Sequence, residues 1–195
     1  MRDSIPLEAI NDIARLRDIA VQYHECPDFI DSVVKRSFNP RRNGHNGQGQ
    51  ANYRLVLQNL DSETKIQRLG RDAKVILLDQ DLYDEGLNWC FGGFTGTSIG
   101  LGYILLSTAR LQGTTHAEDL VRHELGHMFD APSENRRHSK NTYESLGLHC
   151  ANDLCVMQQK LNVPDSIKFA DQRARLNAPA YCGECEQDIK NYRPR

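Results

Sequence analysis

Two histidines and a glutamate in the segment HELGH have the types and spacing needed to bind a metal ion and move a proton. His123 and His127 are four positions apart, so on a helix both imidazoles project from the same face. Neutral imidazole nitrogens suit zinc in tetrahedral coordination. Glu124 lies beside them and can accept a proton from an activated water and later deliver it to a leaving amine. The pentapeptide therefore predicts a zinc site suited to amide hydrolysis.

The residues around HELGH predict the helix that this spacing requires. Thr115 and Glu118 form a T-x-x-E capping box directly before the helical run. Asp130 and Pro132 follow it, and the residue before a proline is disfavoured in helical geometry. An apolar stripe on a line separate from the histidines comprises Val121, Leu125, Met128 and Phe129.

A third protein ligand is not evident from spacing alone. In the pattern H-E-x-x-H-x-x-G-x-x-H a glycine turns the chain and the third histidine comes six positions after the second. Here Asp130 occupies the glycine position and Ser133 the histidine position. Candidate third ligands further along the chain are His138, Glu134, Glu144 and His149.

Four of the six cysteines are clustered in two pairs. Cys150 and Cys155 are separated by four residues, and Cys182 and Cys185 form a C-x-x-C. Two such pairs meeting at one ion make a four-thiolate tetrahedron, which predicts a structural zinc site. The isolated Cys26 and Cys90 are expected to be small buried residues.

The arrangement H-C-x(4)-C-x-M followed by C-x-x-C, downstream of HELGH, resembles the archaemetzincins, a family of metzincin-clan zinc metallopeptidases. Upstream, VILLDQDLY, GLNWCFG and LLSTARL look like the family's strand, D-L-Y turn, L-N-x-x-F-G segment and substrate-side edge strand. FNPRRN resembles a further family segment more faintly. The specific motifs cover about residues 74–185.

This resemblance implies a zinc metallopeptidase with two zinc ions per chain. The implied catalytic ligands are His123, His127 and His149, with Glu124 as general base. The implied structural ligands and Met-turn residue are Cys150, Cys155, Cys182, Cys185 and Met157. His149 follows His127 by 22 positions instead of six, which implies an insertion of about 16 residues, Asp130 to Leu146. A zinc that anchors Cys150 would also position the adjacent His149, and closing a longer loop costs little extra entropy.

Two departures from the family pattern lead to further expectations. The turn glycine is replaced by Asp130, and the gap from Met157 to Cys182 is longer than usual, which predicts a longer surface connection. The insertion is expected to border the substrate cleft and to favour short peptides or chain ends. Its charged residues are Glu134, Arg136, Arg137 and Lys140.

The predicted fold class is α/β (α+β), a metzincin-like domain of residues 1–195 with a small mixed sheet packed on helices. Its expected parts are an upper subdomain, 1–128, an inserted loop, 129–147, and a lower subdomain, 148–195. The run AKVILLDQ predicts a strand covered on both faces. The segment YILLSTARL predicts a second strand, either an exposed edge that pairs with an extended peptide or a strand of the core.

Composition narrows the possible partners. The formal net charge is -2, which does not favour a general affinity for nucleic acid or anionic lipid. The basic clusters Arg41-Arg42 and Arg136-Arg137-His138 are expected to be solvated loops. The sequence contains no apolar run long enough for a membrane span or a signal peptide, so a cytoplasmic location is expected.

The function expected from these residues is zinc-dependent hydrolysis of peptide bonds, with a peptide or protein substrate and aminopeptidase-like action on small substrates. The alternatives are a zinc-loaded, inactive peptide-binding module, a peptidase with Glu144 as third ligand, and a nucleic-acid-binding zinc module at the cysteines. Near-neutral charge and a single aromatic, Tyr181, beside the second cysteine pair disfavour the last. Nothing in the sequence indicates the substrate-binding residues or the oligomeric state.

Overall fold

The computed structural model describes residues 7–17, 27–44, 47–62, 74–95, 102–111, 116–160 and 162–193. Within these ranges the chain forms six α-helices and eight short strands, which confirms the predicted mixed α/β class. The chain divides into two compact units. Unit 1 comprises Met1–Val21 with Gly113–Arg195, and unit 2 comprises Gln22–Gln112. The subdomain boundaries expected from the sequence stay a prediction.

Unit 2 is built from two described helices and six short strands. The helices are α2, Pro27–Ser37, and α3, Tyr53–Asp61. The strands are β1 (Phe38–Asn39), β2 (Gln50–Asn52), β3 (Lys74–Leu78), β4 (Leu82–Tyr83), β5 (Gly92–Thr95) and β6 (Tyr103–Ser107). Its apolar core includes Val33, Val56, Leu60, Leu78, Leu82 and Leu105.

The middle strand of the mixed sheet in unit 2 is β6. It pairs in parallel with β3 on one side and antiparallel with β5 on the other, so both of its edges are occupied. All five of its residues are buried. The expectation that YILLSTARL forms an exposed, peptide-pairing edge is therefore wrong, and core packing is confirmed. A run of apolar residues that covers both faces of a strand favours such a central place.

The segment ANYRLVLQNLDSETKIQRLG predicts a helix that is closed by Gly70 and has Leu55, Leu57 and Leu60 near its buried face. Helix α3 buries a partly different line of residues. Val56 and Leu60, four residues apart, are fully buried, whereas Leu55 is 45% exposed and Leu57 is partly buried. The helix begins after Asn52, whose side-chain oxygen accepts a hydrogen bond from the Leu55 amide at 3.0 Å. The predicted continuation to Gly70 lies outside the described residues.

The segments that resemble archaemetzincin motifs upstream of the helix meet in a polar network in unit 2. The Asp81 carboxylate accepts two hydrogen bonds from Arg110, both at 2.8 Å, and one from Gln50 at 3.1 Å. The Trp89 ring lies 4.9 Å from the Arg110 guanidinium carbon. Since Asp81 and Gln50 are buried, these bonds satisfy polar groups that would otherwise be costly to bury.

Arg42 belongs to the same region, so the expectation of a solvated Arg41-Arg42 loop holds only for Arg41. Arg42 donates to Gln50 at 3.2 Å and lies 4.2 Å from the centre of the Tyr83 ring. Arg41 is exposed. The isolated Cys90, expected to be buried, is partly buried and packs against the core of unit 2, and Cys26 lies outside the described residues.

Unit 1 contains four of the helices and a two-stranded hairpin. The helices are α1 (Leu7–Arg17), α4 (His116–Met128), α5 (Val163–Arg175) and α6 (Gly183–Asn191). The hairpin strands are β7, Thr142–Glu144, and β8, Leu148–Cys150, and a 3-10 helix covers Glu134–Arg136. The core of the unit includes Ala9, Ile13, Val121, Leu125, Val156, Met157 and Ile189. None of the helices in the described ranges is long and apolar enough to cross a membrane.

Candidate metal centres

Helix α4 presents His123 and His127 together. The helix begins at His116, so Thr115 of the predicted capping box lies outside the described residues. Val121, Leu125 and Met128 are buried, as is Phe129 just beyond the helix, which confirms the apolar stripe. The rings of His123 and His127 lie with centroids 4.7 Å apart, because residues four positions apart are neighbours on a helix surface.

The imidazole of His149 joins these two from strand β8. The Nε2 atom of His127 lies 3.1 Å from Nε2 of His123 and 3.3 Å from Nε2 of His149. The 3-10 helix and strand β7 separate His127 from His149 along the chain, yet the three Nε2 atoms converge on one point. Within the described ranges, these three histidines form one of two groups able to hold a metal ion.

Hydrogen bonds at the opposite ring nitrogens orient two of these imidazoles. His123 Nδ1 donates to the carbonyl of Val156 at 2.7 Å, and His149 Nδ1 donates to the carbonyl of Gly147 at 3.0 Å. A carbonyl only accepts, so each Nδ1 carries the proton and each Nε2 keeps its lone pair. Such bonds fix the tautomer that metal ligation needs.

The spacing of the nitrogens fits zinc. A tetrahedral zinc with bonds of about 2.05 Å places its nitrogen ligands about 3.3 Å apart. The separations of 3.1 and 3.3 Å match this edge. Three protein ligands also leave one tetrahedral position for water or substrate, which is the arrangement of catalytic rather than structural zinc sites.

The surroundings keep these imidazoles neutral, as metal ligation requires. Burial lowers the pKa of His123. Burial, together with repulsion from His123 and His149, lowers the pKa of His127 to about 2. Burial and repulsion from His123 lower the pKa of His149 to about 4. Three unprotonated nitrogens therefore face one another near neutral pH, which is an arrangement that a cation stabilises.

Glu124 and the other candidate ligands have clear positions. Glu124 follows His123 on α4 and is partly buried. The carboxylate of Glu144 pairs instead with Arg137 and is 53% exposed. Glu134 also pairs with Arg137, and His138 is exposed. Of the four candidates for a third ligand, His149 is the one that lies beside the helical pair.

Asp130 makes the turn that a glycine makes in the pattern. Its φ is +58°, in the left-handed region. Aspartate is among the few residues with a side chain that adopt this conformation at modest cost. The turn at the end of α4 is therefore retained although its glycine is absent.

The insertion, residues 130–146, is an ordered part of unit 1. Its strand β7 pairs antiparallel with β8, with Tyr143 opposite His149. The ring of Tyr143 lies 5.9 Å from that of His149, and its hydroxyl accepts a hydrogen bond from the Gln159 amide at 2.9 Å. Sequence reasoning missed Tyr143, since cross-strand pairing after a turn leaves no signal in residue spacing.

Four sulfur atoms converge beside this hairpin. Cys150 ends β8, Cys155 lies in the following turn, Cys182 precedes α6 and Cys185 lies within it. The sulfurs of Cys150 and Cys182 are 3.7 Å apart, and the four lie within 4.8 Å of one another. Zinc–sulfur bonds of about 2.3 Å give a tetrahedral edge of about 3.8 Å, so the cluster fits zinc.

Thiols packed this closely cannot all ionise without a cation. Hydrogen bonds from Cys150, Cys155 and Cys185 lower the pKa of Cys182. The same kind of contact with Cys150, Cys155 and Cys182 raises the pKa of Cys185. A bound divalent cation removes this conflict because it stabilises all four thiolates.

The connection between Met157 and Cys182 is more than a surface segment. The segment DSIKFADQRARLN within it predicts a helix, and the structure has this helix as α5, whose Arg173 is buried. Arg173 donates to Asp119 of α4 at 3.0 Å, to the carbonyl of Pro179 at 3.1 Å and to the carbonyl of Leu154. The signal that could have revealed this packing is the helical spacing that places Phe169, Ala170 and Arg173 on one buried face of α5.

Met157 lies beside Cys150 and against Gly126 of the helix that carries His123 and His127. It is fully buried, and its carbonyl accepts a hydrogen bond from the Cys150 amide at 2.9 Å. That bond ties the loop after Cys155 to the end of β8, where His149 and Cys150 are adjacent.

Comparison with known proteins bears on the fold. No family model and no curated protein matches the sequence. Among solved structures, an archaemetzincin from Archaeoglobus fulgidus complexed with malonate is similar over 94% of this chain and 91% of its own, with 20% identity and a TM-score of 0.57. An archaemetzincin from Methanopyrus kandleri is similar over 86% of this chain and 89% of its own, with 20% identity and a TM-score of 0.49.

The first of these similarities covers almost all of both chains, and the histidine and cysteine groups found here fit one catalytic and one structural zinc. This chain therefore has the archaemetzincin fold.

Proposed function

We propose that this protein is a zinc-dependent peptidase in which His123, His127 and His149 hold the catalytic ion and Glu124 is the general base. The observation that carries the proposal is the convergence of the three Nε2 atoms at the helix that carries Glu124, on an archaemetzincin fold. The activity is inferred from these side chains because a fold alone does not establish function.

A bound zinc ion supplies Lewis acidity, which polarises a scissile carbonyl and makes water acidic near neutral pH. The protein supplies the rest. His123 and His149 are held by backbone carbonyls at Nδ1, which keeps both Nε2 lone pairs aimed at one point. Glu124, on the helix turn between the two helical ligands, takes a proton from the attacking water and delivers it to the departing amine.

We further propose that Cys150, Cys155, Cys182 and Cys185 hold a structural zinc, with Met157 as the Met-turn residue. The support is the spacing of the sulfurs, which fits a tetrahedron, and the presence of four protein ligands, which leave no coordination position open. Since Cys150 follows His149 directly, this ion also limits the movement of the third imidazole.

The proposed substrates are short peptides or chain termini, cleaved in an aminopeptidase-like manner. Support comes from the resemblance of the sequence to archaemetzincins. A library of short peptides with free and acetylated N-termini tests this proposal. Preference for free N-termini is expected, and equal cleavage of both sets would contradict the aminopeptidase-like part alone.

Glu124→Gln is the matched inactive control for the peptidase assay. It keeps size and hydrogen-bonding capacity but removes the base, so kcat should fall by about 10²- to 10⁴-fold. Mass spectrometry under native conditions should still count two zinc ions in this variant. If wild type and Glu124→Gln both bind peptides and neither cleaves them, the protein is a zinc-containing binding module and the proposal fails.

A further inference from the structure

Arg136 of the insertion contacts the four-cysteine cluster directly. Its side chain is 17% exposed, which contradicts the expectation that the cluster Arg136-Arg137-His138 is simply a solvated loop. Nη2 donates to the sulfur of Cys185 at 3.3 Å, Nε to Asp188 at 2.9 Å and Nη1 to Glu184 at 2.9 Å. The planar guanidinium therefore uses all three of its nitrogens on helix α6.

A donor with a full positive charge matters at this position. Four thiolates around a divalent cation carry a net charge of −2, and hydrogen bonds to the sulfurs stabilise that charge. Other donors at this cluster include the backbone amides of Asn152, to Cys150, and of Cys182, to Cys155, each at 3.4 Å. A guanidinium, always charged and forked, makes a stronger, charge-assisted bond than these amides.

The same insertion reaches the third histidine. Tyr143, seven residues after Arg136, lies opposite His149 across the hairpin. Between Arg136 and Tyr143 in the sequence, the Asn141 side chain donates to Glu184 at 2.9 Å, and the Asn141 backbone carbonyl accepts from the Ala151 amide at 2.9 Å. Ser133 also donates from its amide to Asp188 at 3.0 Å. The insertion is thus anchored on α6 at one end and on His149 at the other.

We propose that Arg136 is a positioning residue for the metal held by Cys150, Cys155, Cys182 and Cys185, and that the insertion joins this site to the catalytic histidines. The proposal rests on the zinc sites of the proposed function and replaces the expectation that Arg136 belongs to a solvated loop. It assigns Arg136 to metal retention and not to substrate.

Arg137 provides a matched control one residue away. It has the same side chain, but its contacts are Glu134 and Glu144, both more than half exposed. In Arg136→Met the affinity of the cysteine site for zinc should fall by about 10- to 100-fold, the usual range for loss of a hydrogen bond to a metal ligand. In Arg137→Met it should equal that of wild type.

The measurement is competition between zinc-loaded protein and a chromophoric chelator, paired with the spectrum of the cobalt(II) form. Cobalt bound by four thiolates absorbs by sulfur-to-metal charge transfer, which the histidine site cannot contribute. Arg136→Met should shift this band, whereas Asp188→Asn, which removes a carboxylate partner of Arg136 but no donor to sulfur, should leave it in place.

Wild-type zinc retention together with an unshifted cobalt band in Arg136→Met overturns the proposal. If that variant does not fold by far-UV circular dichroism, Arg136→Lys decides, because it keeps the charge without the fork. A shifted band in Arg136→Lys supports the proposal, and an unshifted band with normal retention overturns it. No peptide is involved, so failure of the proposed peptidase activity is a separate result.

Discussion

Gly126 lies directly against the sulfur of Met157. A Cβ added to Gly126 would lie 2.1 Å from Met157 Sδ, 2.9 Å from its Cε and 3.3 Å from Cε1 of Tyr181. The helix that carries His123 and His127 therefore touches the residue beneath it without any intervening side chain. This contact explains why the fourth residue of HELGH is a glycine although glycine is unfavourable within a helix.

Gly126→Ala should destabilise the protein. Alanine favours a helix over glycine by about 1 kcal/mol, but overpacking a buried contact costs about 1–3 kcal/mol. Met157 is fully buried and its Sδ is not the terminal atom of the side chain, so moving this sulfur aside would cost stability. We expect a lower urea midpoint and weaker retention of the zinc held by the histidines.

Gly183→Ala is the control for this substitution, because an added Cβ there meets nothing within 4 Å. It should leave the midpoint unchanged or raise it slightly. In the double variant Gly126→Ala/Met157→Ala the two losses should be less than additive, since the smaller residue at 157 removes the clash. Strict additivity would show that the contact does not explain the glycine.

Removing His149 should release one zinc and removing Glu144 should release none. His149 places Nε2 3.3 Å from that of His127, whereas the Glu144 carboxylate is half-exposed and paired with Arg137. Native mass spectrometry should count one zinc in His149→Ala and two in Glu144→Ala. Two zincs in the first variant and one in the second would assign the third ligand to Glu144.

Metal removal should expose thiols in a countable way. Cys150, Cys155, Cys182 and Cys185 are protected while they ligate zinc, whereas burial raises the pKa of Cys90 to about 11 and keeps it poorly reactive. Titration with a thiol reagent at pH 7.5 should therefore detect four additional rapidly reacting thiols after a strong chelator has removed the metal. No gain would mean that these cysteines hold no metal.

Loss of Arg173 should weaken both the helix of the histidines and the cysteine cluster. Its partners are Asp119 of α4 and the carbonyls of Leu154 and Pro179, which flank the cysteines. Removing a buried, paired charge costs about 3–5 kcal/mol, and somewhat less here since Arg122 also pairs with Asp119. Arg173→Met should unfold at lower urea and release zinc faster, whereas the exposed Arg175→Met should match wild type.

The turn at Asp130 should accept glycine and reject branched residues. Its φ of +58° costs about 1–2 kcal/mol for an ordinary side chain and nothing for glycine. Asp130→Gly should keep wild-type stability, and Asp130→Val should lower the free energy of unfolding by at least that amount. Equal stability of the two variants would contradict the conformational role of this residue.

Local spacing allowed several features to be predicted correctly from the sequence. HELGH lies on a helix whose apolar stripe is buried, and AKVILLDQ contains a strand, β3. Such features depend on neighbours within about one helical turn or a few strand residues, where the period fixes which side chains share a face. The segment DSIKFADQRARLN was also recognisable as a helix for this reason.

Long-range relationships were not accessible in the same way. YILLSTARL had two interpretations because an apolar strand can have the same sequence pattern at the edge of a sheet and in its middle. In the structure this strand pairs on both sides, so it is a central strand. The buried face of α3 was predicted wrongly at Leu55 for a related reason: the several leucines of this helix are compatible with more than one buried face.

The types and short spacings of the histidines and cysteines, determined by the sequence alone, were enough to indicate two zinc sites. Tertiary structure decided which distant residues accompany them: it placed His149 beside the helical pair, Arg136 on the sulfur of Cys185 and Arg173 between α4 and the cysteines. The physical reason is that ligand geometry within one helix turn follows from backbone periodicity. A contact across a hairpin or between helices depends instead on how the whole unit buries its apolar surface and satisfies its buried charges.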